Sequence, residues 1–222
     1  MSAGSAPSSR LVRAFGYPFQ GGFRWSWVAG PLCVLLLPLG AVPLLGYSVE
    51  AVRASAADPA APPPPWRLAP RQLADGALVA LAVALLTAPF AALWWPAASG
   101  VLALQLWPQR DPFLDRLYAL TLAGSPLALP WGLLLLAVMP PATARLAQGG
   151  VRDFLDLAAG FRLLRRRFQT WNLVAAGIVT GWALGLAGSA LCGAGVLPGV
   201  FYAILVSAHA TAALVAEDPP AG

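Results

Sequence analysis

Apolar runs of similar length, separated by short polar stretches, dominate the chain. Each run has roughly 20 residues, the length that crosses the hydrocarbon core of a bilayer. The pattern predicts an all-α integral membrane protein, a bundle of four to five apolar helices in a single membrane domain over residues 27–216. The runs cover residues 27–47, 77–96, 117–139, 171–191 and 200–216.

Residues 1–26 and 217–222 lie outside this domain. The first segment combines arginines with aromatic residues such as Tyr17 and Trp25. This composition is typical of an anchor at the level of the lipid headgroups. The tail is short and acidic.

Residues 142–170 show a different periodicity. Phe154, Phe161 and Phe168 recur at helical spacing, whereas charged residues such as Asp153 fall largely on the other side. The spacing predicts a basic amphipathic helix that lies in the membrane interface. A helix packed on a neighbouring element would show the same spacing.

The composition excludes an ordinary soluble domain. The chain is 59% hydrophobic and 10% charged, whereas a soluble domain carries roughly 25% charged residues. All basic residues that contribute to the net charge of +5 are arginines. Because they lie in short segments between apolar runs, we expect an anionic membrane surface, and not a nucleic acid, as their partner.

Two interpretations of the first apolar run remain open. If residues 27–47 cross the membrane, nine arginines lie on one side and five on the other. If the run enters and returns on one side, with its prolines and Gly40 as breaks, the counts become twelve and two. The larger asymmetry favours the re-entrant interpretation under the positive-inside rule. Both interpretations place residues 161–171 and the C-terminus in the cytoplasm.

Four arginines directly precede the fourth apolar run. An arginine near an anionic leaflet contributes about 1 kcal/mol to membrane attraction. We therefore expect this group to bind lipid headgroups. Its members are Arg162, Arg165, Arg166 and Arg167.

The fourth run carries small residues at every fourth position, namely Gly177, Gly181, Gly185 and Ser189. Such a face lacks large side chains and lets another helix approach closely. The last run of the same chain, which contains Ala203, is favoured as the partner over a second subunit.

His209 is the single histidine and lies in the last run near Ser207 and Thr211. An ionisable group at this depth is a candidate for function, so these residues form a candidate intramembrane polar site. A neutral imidazole hydrogen-bonded to a neighbouring helix would need no function. Pairing with Ser189, as in an intramembrane serine protease, is not favoured because the two residues differ in depth by about 15 Å.

The two cysteines, Cys33 and Cys192, and the one histidine do not supply the four ligands of a structural zinc site. We expect neither a metal nor a cofactor, and no enzymatic activity.

The polar stretch between the first two runs contains four prolines at 62–65. They predict a short polyproline II segment, since proline excludes a helix there. Trp66 beside Arg67 is expected to lie at the membrane interface. Asp75 is expected to cap the N-terminus of the second helix.

The order of several landmarks is informative. They are Tyr17-Pro18, Trp25, Gly30, Pro43, Gly46-Tyr47, Arg53, Pro65-Trp66, Gly76, Pro140 and Ala142. Together they resemble a prokaryotic family of multi-pass membrane proteins, number four thousand and thirteen in the series of domains of unknown function. The resemblance covers roughly residues 15–215 and implies a topology. It carries no established activity, and the proline run departs from the family pattern.

Two classes of function remain. The favoured class is a non-enzymatic membrane protein that organises lipid or binds a partner through its basic helix and proline-rich loop. The alternative is a component of a small-molecule or lipid transporter, which needs a polar path. Few polar residues, such as Gln105, Asn172 and Thr180, are available within the spans to line one. A protein partner or a second copy fits either class, and the sequence names none.

The arginine distribution generates a topological prediction. A reporter fused after residue 160 should report the cytoplasm, and one after residue 112 the exterior. A reporter at residue 8 distinguishes a re-entrant first run from a crossing one. A cytoplasmic signal at residue 112 would contradict the predicted topology.

Overall fold

The computed structural model describes residues 7–21, 25–103, 112–191 and 195–215, and these residues form helices and no strand. The predicted all-α class is confirmed. Gln105 and Cys192 lie outside the described residues. The helices are α1 (Pro7–Gly16), α2 (Ser26–Leu35), α3 (Ala41–Ala57), α4 (Pro70–Ala103), α5 (Pro112–Gly149), α6 (Val151–Leu155), α7 (Leu157–Arg166), α8 (Phe168–Leu191) and α9 (Val196–Ala212), with a 3₁₀ turn at Tyr17–Phe19.

The chain forms two compact units. The first contains the described residues of Met1–Ala80 and Pro140–Gly222, and the second contains those of Leu81–Met139. Within the described ranges, three helices are long and apolar enough to cross a membrane, namely α4, α5 and α8. The 17 residues of α9 extend about 26 Å, slightly less than the roughly 30 Å of a hydrocarbon core.

Helix α9 lies at the centre of the first unit. Phe201 and Leu205 are fully buried, and they pack with Tyr17 and Tyr47 in one hydrophobic cluster. A helix that is hydrophobic all round lies either in a protein core or in a membrane. The contacts of α9 with α2, α3 and α8 show that it belongs to the core of the first unit.

Helix α8 packs against α9 through its glycine face. A Cβ at Gly181 would lie 2.8 Å from Cγ1 of Val206, and one at Gly185 would meet the carbonyl oxygen of Gly199. Gly177 is buried on the same face. The two backbones can approach this closely only because the face has no side chains. Ser189 belongs to α8, but its side chain is outside the described part of the structure.

The first apolar run folds as a helical hairpin. Helix α2 ends at Leu35 and α3 begins at Ala41. Gly30 on α2 and Tyr47 on α3 both lie against the ring of Phe201, so the chain returns to the level from which it started. The helix is therefore interrupted between Leu35 and Ala41, which is the break around Gly40 that the re-entrant interpretation predicts.

The single amphipathic helix predicted over residues 142–170 is wrong. Helix α5 continues to Gly149, after which Gly150 has a φ of +96° and ends it, a conformation that favours glycine. Asp156 then separates α6 from α7, and its Oδ1 accepts a hydrogen bond from the Ala159 amide at 2.9 Å. This N-cap starts α7 as a separate helix. A further break at Arg167 separates α7 from α8.

The second unit contains the C-terminal part of α4 and the N-terminal part of α5. Trp94 Nε1 donates to the Leu120 carbonyl oxygen at 2.8 Å, and Trp131 Nε1 donates to Thr87 Oγ1 at 3.0 Å. Both helices expose apolar side chains over most of their length, as expected of membrane-spanning segments. Helix α4 passes Pro96 and reaches Ala103, so it continues beyond residue 96, where the predicted second run ends.

The contact between α8 and α9 predicts the effect of Gly181→Leu. The added side chain would overlap Val206, and overpacking of this kind costs about 1–3 kcal/mol. We expect a lower melting temperature for the detergent-purified variant. Gly132→Leu is the control, because a Cβ there would meet no described atom within 4 Å. Equal melting temperatures for Gly181→Leu and the parent would contradict the packed pair.

Candidate functional site

Three arginines form an exposed basic face on α7. Arg162, Arg165 and Arg166 are exposed, and their three- and four-residue spacing brings them to one side of the helix. Arg162 Nη2 lies 3.7 Å from Asp156 Oδ2. Arg165 and Arg166 form no ion pair with any described residue. We call Arg162, Arg165 and Arg166 the arginine face.

Arg167 does not belong to this face. Arg167 is half-buried, and its Nη1 donates to the Leu214 carbonyl oxygen at 3.5 Å, just beyond the end of α9. A cation at a helix C-terminus stabilises unpaired carbonyl groups there. Of the four arginines predicted to bind lipid, the structure thus brings three to the surface and uses the fourth to hold α9.

Exposed apolar side chains lie beside the arginine face. Leu157 is 53% and Phe161 is 49% exposed. Gly160 is buried, and a Cβ there would lie 3.9 Å from Cβ of Pro141. Helix α7 thus packs on the C-terminal part of α5 through Gly160 and leaves basic and apolar groups outward. This combination is typical of a helix at a membrane surface.

His209 lies in the interior of the first unit. It is 5% exposed, and its Nδ1 is 3.0 Å from Oγ of Ser55, which is 2% exposed. The ring of Tyr17 packs on the imidazole with a centroid separation of 4.4 Å. A buried polar group of this kind needs a hydrogen-bond partner, and Ser55 supplies it.

The predicted polar site is only partly assembled. Thr211 is buried like His209, but Ser207 is half-buried and donates its hydroxyl to the Ala203 carbonyl oxygen at 2.7 Å. Ser207 therefore does not join the imidazole. Sequence reasoning missed Ser55, because its pairing with His209 depends on the register between α3 and α9, which no local pattern encodes.

The contacts of α3 with α9 define that register. Tyr47 lies beside Phe201 and Ser55 beside His209, so the two helices run in the same direction. At the opposite end of α9, Gly199 faces Gly185 of α8. His209 is ten residues beyond Gly199, or about 15 Å along the helix axis. This geometry keeps His209 away from the end of α8 that carries Ser189.

A buried ion pair joins α3 to α4. Arg53 Nη2 lies 2.6 Å from Asp75 Oδ2, and their side chains are 14% and 10% exposed. Arg53 Nη1 also contacts Oε2 of Glu50, which is 45% exposed, at 3.0 Å. Arg53 Nε donates to the Ala147 carbonyl oxygen at 3.3 Å. One guanidinium therefore connects three helices.

The predicted role of Asp75 as an N-cap is wrong. Helix α4 begins at Pro70, so Asp75 lies inside its second turn. Sequence reasoning also counted Arg53 among the arginines between apolar runs, whereas it lies within α3 and its side chain is 14% exposed. Arg53 and Asp75 lie on opposite sides of the proline-rich loop in the sequence, and no local pattern indicates that they pair.

Two glycines bring α3 and α4 into backbone contact beside the ion pair. A Cβ at Gly46 would meet the Gln72 carbonyl oxygen, and a Cβ at Gly76 would meet the Val42 carbonyl oxygen. This close crossing positions Asp75 within reach of Arg53. Arg53 and Asp75 pair with each other and thereby fix the positions of α3 and α4 relative to one another.

Residues 62–69, which we call the proline segment, pack against an aromatic cluster. Tyr47 donates its hydroxyl to the Pro64 carbonyl oxygen at 2.8 Å. The rings of Tyr47 and Trp66 are 4.6 Å apart, and Trp66 also lies near Phe201. Trp66 is half-buried against the interior of the first unit, and its predicted position at the membrane interface stays a prediction.

The ion pair predicts unequal effects for its two carboxylates. Asp75→Ala removes the less exposed of the two carboxylates that pair with Arg53. Leaving a buried charge without any partner costs about 3–5 kcal/mol, and this is the upper limit here because Glu50 stays 3.0 Å from Arg53. Glu50→Ala removes an exposed partner, which costs about 0–1 kcal/mol. Unfolding in detergent should show this difference. Replacing both partners, as in Arg53→Met/Asp75→Leu, should recover much of the lost stability. Equal effects of Asp75→Ala and Glu50→Ala would show that Asp75 is not the main partner of Arg53.

Comparison with known proteins supplies the family. A model described as "Protein of unknown function (DUF4013)" matches residues 30–193. The match begins within α2 and includes the ion pair, the proline segment, the arginine face and α8, whereas Tyr17 and Trp25 precede it. No curated protein and no solved structure matches the chain. Because the match covers well over half of the chain, this protein belongs to the DUF4013 family of proteins of unknown function.

Proposed function

We propose that this chain is a non-enzymatic, multi-pass protein of a prokaryotic cell membrane that binds anionic lipid headgroups through the arginine face of α7. In this proposal α7 and the C-terminus lie on the cytoplasmic side. The protein uses its helical units as a scaffold at the membrane surface.

The observation that carries the proposal is the exposure of Arg165 and Arg166 without an ion-pair partner among the described residues. They directly precede α8, one of the helices long enough to cross a membrane. Guanidinium groups bind phosphate through paired N–H donors. An anionic headgroup therefore matches both the charge and the position of these side chains.

The exposed apolar residues beside the arginine face support a lipid as the ligand. Leu157 and Phe161 are about half exposed next to the guanidinium groups. A soluble anion would leave these side chains in water, whereas a bilayer surface would cover both the charged and the apolar groups.

The arrangement of polar residues supports a scaffold over a transporter. Asn172 and Thr180 are exposed on α8, whereas His209 is buried and bonded to Ser55. These candidates for a polar path therefore do not converge on one another. His209 and Arg53 instead pair with residues of other helices, as structural groups do.

The test compares lipid binding by two variants with the same loss of charge. Arg165→Gln/Arg166→Gln should bind phosphatidylglycerol about tenfold more weakly or worse, because each arginine contributes about 1 kcal/mol and 1.4 kcal/mol is a factor of ten. Arg67→Gln/Arg116→Gln removes two exposed arginines that share no helix face and should therefore weaken binding less. Native mass spectrometry of the detergent-purified proteins measures the bound lipid.

Phosphatidylcholine provides the second control, since it has no net charge. Binding of phosphatidylglycerol should weaken as salt rises, because salt screens exposed charges. Equal retention of phosphatidylglycerol by the two double variants would contradict the proposal.

A further inference from the structure

The proline segment has one face inward and one face outward. Residues 62–69 form neither helix nor strand. Pro63 is buried and Trp66 is half-buried, whereas Pro62, Pro65 and Leu68 are exposed. This spacing of three matches the three residues per turn of a polyproline II helix. Each residue that precedes a proline is also restricted to extended conformations, which supports the same geometry.

The inward face fixes the segment. The Tyr47 hydroxyl binds the Pro64 carbonyl oxygen, and the Trp66 ring lies against Tyr47. The segment is therefore ordered before any partner arrives. A ligand that is fixed in its bound conformation loses less entropy on association and binds more tightly.

The outward face combines apolar and basic groups. Pro62 and Pro65 have the Pro-x-x-Pro spacing, and Arg67 is exposed two residues later. Arg67 forms no ion pair with any described residue. Proline-recognition domains use a groove lined by aromatic side chains to bind this spacing. An acidic group beside such a groove would complement Arg67.

We propose that Pro62, Pro65 and Arg67 form a docking surface for a partner protein whose domain has an aromatic, polyproline-binding groove with an acidic rim. The hydrocarbon core of the bilayer is a less suitable partner. The extended backbone of this segment makes no hydrogen-bonded ladder, and unsatisfied peptide groups are excluded from the hydrocarbon region. The surface is separate from the arginine face of α7, so this inference does not depend on lipid binding there.

The experiment uses the full chain in nanodiscs of phosphatidylcholine. The probe is a purified SH3 domain that selects Pro-x-x-Pro ligands followed by arginine, and biolayer interferometry measures its affinity. Pro62→Ala/Pro65→Ala should weaken binding about tenfold, the change expected when central contacts of an interface are removed. Arg67→Gln should also weaken binding, and the remaining affinity should depend less on salt.

Matched variants separate recognition from general effects. Pro70→Ala changes an exposed proline just beyond the segment, and Arg116→Gln removes an exposed arginine elsewhere. Both should bind the probe like the parent. Arg165→Gln/Arg166→Gln should also bind it normally, so a failure of the lipid proposal is distinguishable from a failure here. The melting temperature of Pro62→Ala/Pro65→Ala should match that of the parent. If this variant melts at a lower temperature, the affinity of the probe for Arg67→Gln relative to the parent provides the test.

Three results would overturn the inference. One is an absence of probe binding to the parent protein. Another is equal affinity for the parent and for a folded Pro62→Ala/Pro65→Ala variant. The third is binding in detergent that disappears in nanodiscs, which would show that the bilayer covers the outward face.

Discussion

Close contact between helix backbones at glycine is the interaction on which the first unit depends. Gly181 and Gly185 bring α8 onto α9, and Gly46 and Gly76 bring α3 onto α4. Gly30 makes room for the ring of Phe201 at the centre of the unit. At each of these positions a Cβ would overlap a neighbouring atom. The small residues therefore determine which helices touch, and dispersion contacts over the shared faces stabilise the arrangement.

The polar groups of the interior depend on these contacts. Arg53 reaches Asp75 because α3 and α4 cross with almost no side chains between them, and His209 meets Ser55 because α3 runs alongside α9. Such pairs contribute less net stability than their short distances suggest, since desolvation offsets much of the attraction. Their stronger effect is on specificity, because any other register would leave a buried charge or a buried imidazole without its partner.

Local patterns predicted much of the helical architecture, and the contacts across the chain could not be read from them. The spacing of Gly177, Gly181 and Gly185 lies within one helix, so the face was visible in the sequence. Gly46 and Gly76 lie in different helices, and neither is part of a repeat. The same limit applies to Ser55 and His209, which are far apart in the chain. The break at Gly150 had a local signal in the adjacent Gly149, but the apolar periodicity continued across it and favoured a single helix.

The arginine face and the proline segment follow the same structural logic. In each, one part of the segment is fixed by the interior of the first unit and the remainder points outward. Gly160 packs α7 beside Pro141 while Arg165 and Arg166 stay exposed. Tyr47 and Trp66 hold the prolines while Arg67 stays exposed. Fixing a backbone lowers the entropy lost on binding, so basic side chains on ordered segments suit recognition better than the same residues on a flexible loop.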